Sequence, residues 1–77
     1  MKALRGHRYH ARIEVGFFKR AVCNEGVILD KLVDAGFDQV HVRKTGTGEY
    51  EAEAVWPHPD SDDVDLPSEI VHVDDLG

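Results

Sequence analysis

The stretch YHARIEVGF (Tyr9–Phe17) decides how the chain is read, because Tyr9, Ala11, Ile13, Val15 and Phe17 alternate with His10, Arg12, Glu14 and Gly16. Successive side chains of a strand point to opposite faces, so this period of two predicts a strand with one buried and one polar face. Downstream, Asn24 can cap a helix that runs through Ala35, with Glu25 in the first turn and Ile28, Leu29, Leu32, Val33 and Ala35 at helical spacing. Gly36 followed by apolar Phe37 predicts a left-handed stop whose next residue folds back on the last turn.

Two further alternating runs follow. Over Gln39–Lys44, Val40 and Val42 alternate with His41 and Arg43; over Tyr50–Trp56, Tyr50, Ala52, Ala54 and Trp56 alternate with Glu51, Glu53 and Val55. They read as the arms of a hairpin joined through TGTG (Thr45–Gly48), whose glycines can take positive φ. For Val42 to share a face with Tyr50 or Ala52 the loop must be odd, three or five residues, unless a bulge intervenes. His41 and Arg43 then face Glu49, Glu51 or Glu53, and each opposite-charge pair contributes about 0.2–1 kcal/mol. Pro57–Ser68, with three prolines and four aspartates, reads as an acidic irregular loop, and Ile70–Val73 as a short edge strand.

With 77 residues the chain is one domain. The expected fold is α+β: a small two-layer sandwich in strand-helix-strand-strand order, one helix on a three- or four-stranded mixed sheet, with a strand-helix-strand crossover that the hairpin extends. Residues 1–7 are expected as a flexible basic N-terminus and 57–68 as the acidic loop. The formal net charge of −6 is unevenly spread. Met1–Arg20 holds six bases and one acid, whereas Thr45–Gly77 holds ten acids and neither Lys nor Arg. Such asymmetry marks an interaction surface, or else neutralisation of one end of the chain by the other.

Chemistry is thinly represented. His7 and His10 share a face only in a helix, and the strand pattern places them apart, so no metal ligand set is expected. The aspartate loop lacks the glycine and terminal glutamate of an EF-hand. Cys23 has no histidine near it in sequence and reads as a packing residue. Ser61 and Ser68 lack a nucleophile elbow, and TGTG joins strands instead of opening a helix, so it is no phosphate cradle. No catalytic residue, cofactor or metal is expected, nor a membrane partner, since no apolar run reaches the roughly 20 residues of a membrane span. The start MKALRGHRYH lacks the apolar core of a signal peptide, so a cytoplasmic address is expected.

RIEVGFF followed by GVILDKLVDAGFDQVHV resembles the first half of the SPOR peptidoglycan-binding fold over Arg12–Val42. The remainder departs from it, with no second helix and an acidic end. DAGFDQVHVRKTGTGEYEAEAVW followed by LPSEIVHV is similar to small uncharacterised proteins of tailed bacteriophages over residues 34–73, carried by Ala35, Gly36, Phe37, Gly46, Gly48 and Trp56. That resemblance implies a virion-associated or accessory role, in the host cytoplasm or the virion. The leading expectation is a non-enzymatic protein-interaction or assembly module, binding a protein partner or pairing head to tail with its own kind. Two alternatives stand beside it: an acidic nucleic-acid mimic that inhibits a host protein, and a nucleic-acid binder using the basic start with Tyr9 as a stacking platform. The interaction residues expected are Arg5, Arg8, Arg12, His41, Arg43, Glu49, Glu51, Glu53, Asp60, Asp62, Asp63 and Asp65.

Overall fold

The alternation that begins near Tyr9 builds strand β1 (Arg8–Glu14) in the computed structural model, which describes residues 1–77. It is followed by a short 3₁₀ turn (Phe17–Lys19), helix α1 (Glu25–Asp34), strand β2 (Asp38–Gly46), strand β3 (Glu49–Val55) and strand β4 (Ile70–Asp75). The fold is α+β, with one helix against one open sheet in the order β2-β3-β1-β4.

Every ladder is antiparallel, so the mixed sheet expected from sequence is corrected. β1 and β2 do run in the same direction, as a helical crossover requires, but β3 lies between them. The reason lies in β3, whose alternation matches β1 on both faces. Ala11 meets Ala52 inside, while His10 meets Glu53 and Arg12 meets Glu51 outside, and opposite-charge pairs of this kind favour the antiparallel ladder.

The inner face collects Tyr9, Ala11, Ile13 and Val15 from β1 and Tyr50, Ala52, Ala54 and the following Trp56 from β3, all buried, under Ile28 and Leu32 of α1. Ile13 is the most deeply buried large side chain, at 1 % exposure. The three alanines leave room for rings: Phe37 packs edge-on to Tyr9 at 6.3 Å and to Trp56 at 5.2 Å. Full burial of each large apolar side chain contributes about 1.5–3 kcal/mol. The polar ends of the rings are satisfied, Trp56 Nε1–H donating to the Pro59 carbonyl at 3.0 Å and Tyr9 Oη accepting from the Leu4 N–H at 2.8 Å.

Both ends of α1 follow the sequence reading. Asn24 Oδ1 accepts from the Val27 N–H at 3.1 Å. At the other end the Gly36 N–H donates to Val33 O at 3.0 Å and the Phe37 N–H to Leu32 O at 3.1 Å, with Gly36 at φ +110°. These two bonds define a Schellman stop, and buried Phe37 and Leu32 supply its apolar contact.

Elsewhere the structure revises the expectation. The alternation through Phe17 predicts that this ring faces inward, but β1 ends at Glu14 and Phe17 is exposed. The Val15 N–H is taken by the Gly48 carbonyl at 2.7 Å, and the chain turns away at Gly16. The hairpin places Val42 opposite Ala52, yet its turn is the even pair Thr47–Gly48, and a register shift at Thr45 restores the parity. Residues 1–7 are held down: Ala3 is fully buried and bridges Ser61, and the Arg5 N–H donates to Asp60 Oδ1 at 2.8 Å. The 57–68 loop is irregular but anchored, with Val64 in the core.

Candidate functional site

The outer face of the sheet gathers the charged residues that alternate with the core. Two rows cross all four strands in the order β2, β3, β1, β4: Arg43, Glu51, Arg12, His72, and next to it His41, Glu53, His10, Asp74. The second row alternates acid with histidine throughout, and the first does so from Arg43 to Arg12 before Arg12 meets His72, an arrangement that period-two strands produce when neighbouring strands carry opposite charge. A shallow depression of about 350 Å³ opens between β2, β3 and β1, lined by His10, His41, Val42, Arg43, Glu51, Ala52 and Glu53.

Glu51 is its most engaged group. It is hydrogen-bonded by the Arg43 guanidinium and lies 3.9 Å from His10 Nε2. The Arg43 bond, and less so His10, holds the Glu51 carboxyl below the usual carboxylate range. Asp75, at the far end of β4, is lowered by the Gly77 N–H and by His7, whose Nδ1 is 3.0 Å away. No three His, Cys, Asp or Glu side chains are grouped as a metal-ligand set. His58 sits edge-on to Trp56 at 5.1 Å, and Cys23 is a buried free thiol.

Of the expected interaction residues, Arg12, His41, Arg43, Glu51 and Glu53 come together on this face, with Arg8 and Glu49 towards its ends. Arg5, Asp60, Asp62, Asp63 and Asp65 lie apart from it, along the N-terminal segment and the loop on which it rests. None of the ion pairs in the molecule uses the side chains of Arg5, Arg8 or Arg12. Tyr9 is buried with its hydroxyl occupied, which removes it as a stacking platform.

Two features escaped the sequence reading. Glu69 is a buried acid whose Oε1 accepts from Lys31 Nζ at 2.6 Å, with Lys19 Nζ at 4.0 Å. Lys31 lowers the Glu69 carboxyl, and Glu69 raises the Lys31 ammonium. Nothing in the sequence announces a pair spanning 38 positions. The second is an aromatic knob. Phe17 and Phe18 are 75 % and 95 % exposed, and their rings meet edge-on at 5.6 Å. Arg20 lies 5.8 Å over the Phe17 ring, and its Nε–H donates to the Val15 carbonyl at 3.3 Å. A signal was present, since two adjacent phenylalanines cannot both face inward in a strand.

The chain matches no family model, no curated protein and no solved structure. No helix is long and apolar enough to cross a membrane.

Proposed function

We propose that the chain is a non-enzymatic protein-interaction module whose principal anchor is the Phe17–Phe18 knob. The observation that carries this is the outward display of two phenylalanines by the 3₁₀ turn, with Arg20 bonded to the Val15 carbonyl just beyond β1 and stacked on one ring. Phenylalanine and arginine are both enriched at protein interfaces relative to the rest of the surface, and an anchor ordered before binding loses less entropy on association. The partner is a protein that offers an apolar pocket with an acidic rim towards Arg20. A virion-associated or accessory setting is what the resemblance over residues 34–73 suggests.

An acidic mimic needs a continuous acidic surface, and Arg43, His10 and Arg12 interrupt the acids of β3. A nucleic-acid binder needs a continuous basic path, and Glu51 and Glu53 interrupt it. The test is capture from extracts on the immobilised chain, comparing the parent with Phe17→Ser/Phe18→Ser. A partner retained stoichiometrically by the parent at about 0.5 M salt, where exposed charge pairs are screened, and lost by the variant is the expected result. Equal retention by both proteins would overturn the proposal. Binding of labelled duplex DNA or RNA by the parent, weakening steeply with salt, would install the nucleic-acid reading in its place.

A further inference from the structure

We infer that the free edge of β2 and the flank of α1 beside it form a self-complementary surface that pairs with a second copy of this chain. β2 stands at one end of the sheet and its only ladder is with β3, so its outer N–H and C=O groups are unpaired. Such an edge templates the addition of another strand. It is the longest strand in the sheet, and the stretch His41–Lys44, between its two irregularities, keeps a regular register.

The helix adds an apolar flank on the same side. α1 packs on β2, and Lys31 reaches Glu69, which directly precedes β4 at the opposite end of the sheet. Residues two apart in a helix lie about 200° around the axis, so Leu29 and Val33 occupy the flank facing away from Lys31, over the open edge of β2. Both are exposed, Val33 at 50 %.

The occupant follows from symmetry and charge. β2 begins with the acid Asp38 and carries the bases Arg43 and Lys44 in its second half. Antiparallel pairing with a second β2 brings the acidic start of each strand towards the basic end of the other, whereas parallel pairing stacks like on like. A two-fold axis through the edge makes one continuous eight-stranded sheet and sets the two helix flanks together, so that each apolar side chain is buried twice. β4 offers a poorer edge, because its acids Asp74 and Asp75 face no lysine or arginine on the same strand.

The experiment is sedimentation of the full chain over a range of concentrations, paired with amide hydrogen exchange. A monomer–dimer equilibrium is expected, with the β2 amides gaining protection as concentration rises and the β4 amides unchanged. Leu29→Gln/Val33→Gln, on an exposed flank, is expected to keep the monomer folded by circular dichroism and to weaken the dimer by at least about tenfold. Phe17→Ser/Phe18→Ser is expected to leave dimerisation unchanged, which separates this surface from the knob. A chain that stays monomeric at millimolar concentration, a dimer that protects β4 instead, or one that the α1 variant leaves intact would each overturn the inference.

Discussion

At Gly36 two constraints coincide. The backbone there is left-handed, at φ +110°, and an added Cβ would lie 3.0 Å from Trp56 Cζ3. Gly36→Val therefore combines left-handed strain in a β-branched residue with a clash against a buried ring, and it is expected to cost about 2 kcal/mol or more. Urea denaturation measures this, and an unchanged midpoint would refute the helix stop. Gln39 is the opposite case. It is the one non-glycine residue at positive φ, +49°, where the register between β2 and β3 shifts. Gln39→Gly relieves that strain at the cost of extra freedom in the unfolded chain, so a gain of about 0.5 kcal/mol in the same assay is expected.

Single pairs join the elements. The Lys31–Glu69 bond ties α1 to the entry of β4, and the Glu69 carbonyl accepts from the Glu14 N–H at 3.0 Å. Because Glu69 titrates lower in the folded chain than in the unfolded one, its contribution is present above the ordinary carboxylate range and disappears as pH falls through and below it. Glu51 and Asp75 are lowered as well and act in the same direction. Thermal midpoints are expected to fall between about pH 5 and pH 3, with a shallower fall in Glu69→Gln, which at neutral pH is less stable than the parent because Lys31 has lost its charged partner. Where β1 meets the hairpin, Glu14 stands directly opposite Glu49, a like-charge pair. Glu14→Lys is expected to raise stability by about 0.5 kcal/mol at low salt, and the gain should shrink as salt is added.

Over the whole molecule the charge asymmetry folds back on itself. β1, from the basic end of the sequence, lies between β3 and β4 from the acidic end, and the N-terminal segment rests on the aspartate loop. Head-to-tail pairing between chains is thereby weakened, because the basic and acidic ends already lie side by side within one chain, Arg12 standing opposite Glu51 on the sheet. Arg5→Gln/Arg8→Gln/Arg12→Gln is accordingly expected to keep the parent's mass in solution from about 0.05 to 0.5 M salt, a range over which the screening length shortens from roughly 14 Å to 4 Å. A mass that falls in the variant while the parent keeps its own at the same salt would restore the head-to-tail arrangement.

Local periodicity and local capping were legible without a structure. The alternation at Tyr9–Val15, the Asn24 cap, the Gly36–Phe37 stop, the two hairpin arms and the final edge strand each depend on residues within a turn or a strand pair of one another, where side-chain spacing alone decides. The outer-face cluster was legible for the same reason, since once Val42 is opposite Ala52, His41 and Arg43 must face Glu53 and Glu51. Tertiary structure decided what depends on distant partners. The place of β3 between β1 and β2 is set by matching two whole strands, and the exposure of Phe17 by the Gly48 carbonyl capturing the Val15 N–H. The burial of Glu69 depends on a lysine on another element. The flank of α1 that stays open is chosen by Lys31 reaching towards β4, because an amphipathic stripe wider than the strand beneath it can be buried along only one of its sides.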